Sequence, residues 1–574
     1  MNTIEKILFT LFISILSFFL YLSNDFTLIA MGIAFFILGM FFMEEGFKQF
    51  SGGLLKTLLG KMTNTLPKSI FSGFFTTTFV QSSSLVSLIT ISFLSAELLG
   101  LREAIGIILG SNVGSTTTAW IVSSVGFKLK IATYAMPLFI FGVIFSLLKD
   151  KTLIGLGKIL IGLGLLFLGI DYMKDGFTAI KETIDLASFT LTGTKGLIVF
   201  IILGALATVI IQSSGATMAI IITALAFNQI TYENALALTI GANIGTTITA
   251  ILGSLTSNSN GKRLALAHFI FNMQTAFFAL LLLQPLVLLV DEISLLFKIR
   301  DDDYILKLAL FHTLFNVLGI LLILPFINKL VNLLSRSFNK EEISQIHSKF
   351  ICKASYSLPE VSLIALQKES KYLYYRAKKL FAHTIHLHTE TINSDLEAKQ
   401  VIEENTQELY PIKIEKSYQK KIKPIYSEIL FFSSQAQSYM NNDEIEIHNK
   451  LMQGNHLLIE SIKDCYHLER NITSHFNSDN PTIIKHYQHI REFLLLVYRY
   501  VDNSVLHQKV DESQLYQSIL DFQKEQNSLL IEHIANKTVE QNVATSLMND
   551  ISYTTKIAQK LLHFSQLFQG KNHV

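Results

Sequence analysis

Charge is scarce in this chain. Asp, Glu, Lys and Arg make up 16% of its 574 residues, against 50% hydrophobic residues, and the mean hydropathy is +0.41. That is too apolar for a soluble protein of this length. Cysteine is almost absent: Cys352 and Cys465 stand alone and far apart, which gives neither a disulfide framework nor a zinc pattern and is compatible with a reducing cytosol. The net charge of +2 gives no case for nucleic acid as a partner. No nucleophile–base arrangement and no phosphate-cradling glycine loop can be found, so the sequence does not read as an enzyme.

The average composition hides a split. Up to Phe338 the chain is mostly apolar runs; from Asn339 onward it is charged, histidine-bearing and poor in glycine. This predicts a membrane domain over 1–338 and a cytosolic helical domain over 345–574. A spanning helix needs about 20 mostly apolar residues, and the candidates are 5–22, 27–44, 100–125, 131–148, 154–172, 235–257, 264–290 and 304–327. The first, Ile7–Leu22 after Lys6, could be a signal peptide. The following Tyr21-Leu22-Ser23-Asn24-Asp25 offers no small-residue cleavage site, which favours a retained helix.

Within the apolar part, one stretch occurs twice. Gln81-Ser82-Ser83-Ser84 is followed by Gly110-Ser111-Asn112-Val113-Gly114-Ser115-Thr116-Thr117-Thr118-Ala119. Gln212-Ser213-Ser214-Gly215 is followed by Gly241-Ala242-Asn243-Ile244-Gly245-Thr246-Thr247-Ile248-Thr249-Ala250. Matched positions lie 131 apart, as do Gly73 and Gly204, and Ala104 and Ala235. Upstream, Gly32, Gly39, Met43, Gly46 and Phe47 match Gly162, Gly169, Met173, Gly176 and Phe177 at an offset of 130. The chain is internally duplicated, with repeat 1 over about 27–130, repeat 2 over about 154–260, and additional spans at 264–290 and 304–327. The upstream glycines read as close helix packing in lipid.

The two Gln-Ser-Ser motifs sit near the middle of apolar stretches 69–97 and 198–228, each long enough to enter a membrane and turn back. They are expected at the tips of re-entrant hairpins, where non-helical backbone is tolerated if it lines a wet cavity. Lys48, Lys56, Lys61 and Lys68, then Lys149, Lys151 and Lys158, then Lys262 with Arg263, mark cytoplasmic loops; Lys128, Lys130, Lys174 and Lys181 disagree. With eight full spans, both termini are cytoplasmic and the repeats are inverted, the plan of many secondary transporters. The fold class expected is therefore all-α: a polytopic membrane protein with two inverted repeats, each with a re-entrant hairpin and a broken helix, followed by a cytosolic helical bundle.

At a helix break, hydroxyls and amides combine with free backbone N–H groups, which suit an anion, and free C=O groups, which suit a hard cation such as sodium. Gly110, Gly114, Gly241 and Gly245 are expected to permit irregular backbone and close approach. No Asp or Glu lies in the middle of either motif segment; Glu44, Glu45, Glu97, Glu103, Asp171 and Asp175 fall near span ends. That favours sodium over protons as a coupling ion. The competing reading, that small polar residues only pack helices, is weakened by the matched duplication. A later echo, Leu264–Asn272 against Leu308–Asn316, repeats a His and Asn four apart (His268 and Asn272, His312 and Asn316) and reads as an interhelical polar contact.

These residues resemble the type II sodium/phosphate cotransporter family, whose signature is a pair of Gln-Ser-Ser-Ser motifs on inverted repeats, each followed by a Gly-x-Asn-x-Gly-Thr-Thr-like segment. The resemblance covers about residues 27–330; Gly215 departs from it, and so does Ser115. It implies inorganic phosphate held between the hairpin tips by Gln81, Ser82, Ser83, Ser84, Gln212, Ser213 and Ser214. It implies sodium ions near Asn112, Ser115, Thr116, Asn243, Thr246 and Thr247, with no organic cofactor. The tail is similar in length and helical content to a PhoU domain, a regulatory module. That likeness would make Glu460 and Asp464 one metal-binding pair, although a solvated face explains them as well. His383, His386 and His388 read as surface histidines. The expected protein is a sodium-coupled phosphate transporter of the inner membrane working by alternating access, with a homodimer as one arrangement. Alternatives are a phosphate exporter, a carrier of another small anion such as sulfate, and a phosphate sensor signalling through the tail.

Overall fold

The computed structural model describes residues 13–567 except 15, 16, 19, 51–62, 126–130, 184–192, 256, 339–346, 406–413 and 506–511. Most of the expected first span 5–22, and Lys56, Lys61, Lys128 and Lys130, lie outside the described residues. Every regular element among the described residues is helical. The chain divides into two compact units, Met1–Asn339 and Lys340–Val574.

The first unit begins with α1 (Asn24–Phe50), α2 (Leu66–Val80), α3 (Ser83–Ser95) and α4 (Leu101–Trp120), the last running on into a short π-helical turn, Ile121–Val125. Next come α5 (Ile131–Ser146), α6 (Lys151–Thr183), α7 (Gly193–Ile211), α8 (Ser214–Ala226), α9 (Tyr232–Gly245) and α10 (Thr247–Ser254). α11 (Ser259–Leu281), α12 (Leu283–Leu296), α13 (Tyr304–Ile323) and α14 (Ile327–Ser335) complete the unit. Among the described residues, seven helical segments are long and apolar enough to cross a membrane. One is α7, whose Ile198, Ile202, Leu203, Leu206 and Ile210 are exposed, as an apolar face turned to lipid would be. The single span expected over 264–290 is two helices, because Pro285 has no N–H to continue the ladder across the join at Leu282.

The duplication is visible in the packing. Gly32 lies against Gly169, Gly39 against Gly162, and Gly46 against Gly155, so α1 and α6 run antiparallel. A Cβ at Gly39 would stand 2.6 Å from the Gly162 carbonyl oxygen, and one at Gly162 would stand 2.6 Å from that of Gly39. The same contact recurs between their counterparts, Gly169 and Gly32, at 2.6 and 2.7 Å. The α2–α4 pair repeats in α7–α9 residue for residue: Gly73 meets Ile107 and Gly204 meets Leu238, while Gly110 meets Ile70 and Gly241 meets Ile201.

The irregular backbone expected at Gly110, Gly114, Gly241 and Gly245 is not there. α4 runs unbroken through Gly110 and Gly114, and the second copy is interrupted only at Thr246, which keeps helical angles. These glycines serve close approach alone: Gly110 and Gly114 face backbone of α2, and Gly241 and Gly245 backbone of α7, where any side chain would collide.

The second unit is a bundle built on α15 (Pro359–Thr384), α16 (Ala398–Glu404), α17 (Ile414–Lys421), α18 (Lys423–Ala436), α19 (Asn442–His475), α20 (Pro481–Val505), α21 (Glu512–Ala535) and α22 (Gln541–Gln566). Pro359, Pro424 and Pro481 begin helices, where a missing N–H is harmless; Pro411 lies outside the described residues. Phe493, Val497 and Val501 are buried along one face of α20, with Tyr500 half-buried beside them.

Candidate functional site

Both motifs are helix breaks of the same form. Gln81 ends α2 at φ 56° and Gln212 ends α7 at φ 57°, a left-handed conformation rare for a residue with a side chain. Each closes the helix before it, the Gln81 N–H on Thr77 O at 2.8 Å and the Gln212 N–H on Thr208 O at 2.7 Å. The next residue caps the helix that follows: Ser82 Oγ accepts from the Leu85 N–H at 3.2 Å and Ser213 Oγ from the Ala216 N–H at 3.2 Å. Glu97 and Asn228, also 131 apart, take the same conformation at the ends of α3 and α8, so the backbone form alone does not mark a site.

The two breaks converge. A cavity of about 210 Å³ is lined by Gln81, Ser82, Ser83 and Ser84 from the first and Gln212, Ser213, Ser214 and Gly215 from the second. Ser115 and Thr118 of α4, Ile211, and Ile37, Met40, Phe41 and Glu44 of α1 complete its wall. No lysine or arginine is among these residues. The first turns of α3 and α8 both start here, and the unpaired N–H groups of a helix start favour an anion.

The two glutamines are held differently. Gln81 is buried; its Nε2 donates to Thr117 Oγ1 at 3.0 Å and to Thr78 O at 2.5 Å, and its Oε1 accepts from Thr118 at 2.8 Å. Ile248 stands where the second repeat would need a counterpart of Thr117, and Gln212 is exposed.

Of the residues expected to hold sodium, Ser115 lines the cavity and the other five lie in helix packing. Thr116 bonds Val113 O at 2.8 Å and accepts from Thr313 at 3.1 Å; Thr246 and Thr247 bond Asn243 O and Ile244 O at 2.6 and 2.8 Å. Asn243 joins the echo residues: its Nδ2 donates to Asn272 Oδ1 at 2.7 Å and Asn316 Oδ1 at 3.1 Å. Its counterpart Asn112 is buried, and its Nδ2 has no partner among the described residues. Glu44 and Thr118 at the cavity were not singled out from sequence. The signal for Glu44 was there: it lies seven residues after Ile37 on the face that carries Met40 and Phe41.

In the tail, Glu460 and Asp464 meet an ammonium group. Lys560 Nζ lies 3.3 Å from Glu460 and 2.7 Å from Asp464, which supplies the countercharge a metal would have brought. Two of the three histidines read as surface residues are buried: His383 and His386. His386 Nε2 is 3.0 Å from Thr473 Oγ1. Burial and neighbouring positive groups hold both rings down to about 4. They are buried because the last turn of α15, with His383, and the turn just after it, with His386, face the bundle; His388, just beyond, is exposed.

The sequence profile of the Na+/Pi-cotransporter family matches residues 35–175 and 184–299. A Bacillus subtilis relative, the uncharacterized protein YqeW, is 30% identical over 312 residues, 53% of this chain and 95% of that protein. The chain belongs to the Na+/Pi-cotransporter family. With seven long apolar helical segments among the described residues, it is an integral membrane protein. The putative inorganic phosphate export protein YjbB of Salmonella typhimurium is 29% identical over 319 residues, 55% of this chain and 56% of that protein. The human sodium-dependent phosphate transport protein 2B is 41% identical over 101 residues, 17% of this chain and 14% of that protein. The chain thus spans little more than half the length of the Salmonella relative. No solved structure matches it at a significant level.

Proposed function

We propose that this protein is a secondary transporter of inorganic phosphate that couples the anion to sodium. The observation that carries the reading is the meeting of the Gln81 and Gln212 helix breaks at one cavity. Hydroxyls, amides and two helix starts there suit a small oxyanion, and no basic side chain would hold the anion too tightly to let it go. Sodium would bind beside phosphate, drawing on hydroxyl oxygens such as that of Ser115, and its positive charge would replace the missing lysine or arginine.

The antiparallel α1–α6 contact supports an inverted repeat, and with it alternating access about a central site. On this reading α2–α3 and α7–α8 are re-entrant hairpins, both termini are cytoplasmic, and the PhoU-like tail regulates the carrier. Export is a second reading, favoured by the name of the Salmonella relative, a putative inorganic phosphate export protein.

The experiment is labelled phosphate uptake into liposomes holding the purified protein, under a sodium gradient and an equal potassium gradient. Accumulation with sodium alone is expected. Phosphate binding without accumulation under either gradient would replace the transporter by a sensor.

A further inference from the structure

The two motif glutamines are matched in sequence and unlike in bonding. Thr117 gives its hydroxyl hydrogen to Gly114 O at 2.7 Å, so toward Gln81 it can only accept. Thr78 O is an acceptor as well. Both neighbours call for N–H, which fixes the nitrogen end of the Gln81 amide. A side-chain amide has two N–H hydrogens, and these two bonds use both. The amide oxygen takes the Thr118 hydroxyl. Gln81 has no hydrogen left to give an anion.

The second repeat lacks this clamp. Ile248, at the position matched to Thr117, has no hydroxyl. Thr249, matched to Thr118, bonds Ser84 at 3.2 Å and Thr246 O at 2.9 Å. Gln212 is exposed, lines the cavity, and its side chain has no hydrogen-bond partner among the described residues. Both clamping hydroxyls come from α4, so they hold the break after α2 against the helix that follows α3. A binding site works when such a frame is fixed by bonds of its own and leaves other donors free for the ligand.

We propose that Thr117 and Thr118 are positioning residues. They commit the Gln81 amide to the protein and tie the first break to α4, which leaves Gln212 as the one motif glutamine that donates to the bound anion. This inference rests on the oxyanion reading of the cavity.

The test measures phosphate affinity of the purified full-length protein and labelled phosphate uptake in liposomes, for wild type, Gln212→Met, Thr118→Val and Thr118→Ser. Gln212→Met keeps the length of the side chain without its amide, and its phosphate affinity falls at least ~10-fold. Thr118→Val keeps the shape without the hydroxyl and removes no donor to the anion. Its affinity stays within ~3-fold of wild type while its maximal uptake rate falls at least ~10-fold, because the first break is no longer held as the cavity opens and closes. Thr118→Ser, which keeps the hydroxyl, restores the rate. Wild-type affinity in Gln212→Met overturns the proposal. So does a loss of affinity in Thr118→Val as large as that in Gln212→Met, a wild-type rate in Thr118→Val, or a rate in Thr118→Ser no better than in Thr118→Val. If Thr118→Val does not insert, Thr117→Val decides on the same two readings. Wild-type protein that binds phosphate but accumulates none refutes transport, and the affinities still judge the glutamines. Wild-type protein that binds no phosphate overturns the oxyanion reading and this proposal with it.

Discussion

Thr249 donates a hydrogen bond to Ser84 at 3.2 Å, but the other copy of that pair, Thr118 and Gly215, meets through carbon. A Cβ at position 215 would stand 3.2 Å from the Thr118 methyl group and 3.3 Å from Met40 Cε. Thr118 instead turns its hydroxyl to Gln81 Oε1. The fourth motif position is thus a hydroxyl in one half and space in the other, and the cavity the two halves share is asymmetric.

That space is just sufficient for a small side chain, because the end of Met40 can shift. Gly215→Ser is expected to keep phosphate uptake within a few-fold of wild type. Gly215→Val, branched at the crowded atom, is expected to lower it at least ~10-fold without loss of membrane insertion, since overpacking displaces the wall it meets. Equal uptake by the two variants would show that position 215 does not border the site.

Gln81→Ala and Gln212→Ala are both expected to abolish uptake while leaving insertion intact, but they should differ in stability. Removing the buried Gln81 takes one partner from Thr117 and leaves the Thr118 hydroxyl without its acceptor, at a cost of about 1–3 kcal/mol. Gln212 is exposed, so its loss should leave the thermal midpoint of the detergent-purified protein nearly unchanged. Normal uptake in both variants would remove the proposed site.

The antiparallel contact of α1 and α6 leaves no room at Gly39 or Gly162. Gly39→Leu is expected to destabilise the membrane unit by about 3 kcal/mol, because the new side chain meets backbone that cannot turn away. The readout is the yield of monodisperse protein in detergent. A Leu variant as stable as wild type would show that the helices separate at this point.

In the tail, Glu369 is fully buried and accepts the N–H groups of Lys349 and Phe350 at 2.7–3.1 Å. Burial outweighs those bonds and raises its carboxyl to about 7. A raised carboxyl stabilises the fold below its unfolded value near 4.5 and loses that contribution as pH rises through about 7. Relative to Glu369→Gln, wild type should therefore gain stability as pH falls from about 7.5 to 5, by an amount on the order of 2 kcal/mol. The comparison cancels the opposing effect of His383 and His386, which must charge in acid. A difference between the two proteins that does not vary with pH in denaturant unfolding would contradict it.

Much of this was legible in the sequence because it is local or repeated. Apolar runs follow from composition, Pro359 and Pro481 mark helix starts by backbone chemistry, and the 131-residue offset needs only comparison of the chain with itself. The break between α2 and α3 was legible too, since Gln-Ser-Ser inside an apolar run competes for its own backbone hydrogen bonds. Tertiary structure decided the rest. Whether Gly110 bends a helix or lets another approach depends on what lies opposite, and Ile70 lies opposite. Whether Glu460 and Asp464 face a metal or a lysine depends on α22, nearly a hundred residues away. Whether Glu44 ends a span or lines a cavity depends on where two distant breaks meet. Sequence sets which side chains share one face of a helix; only packing sets what that face meets.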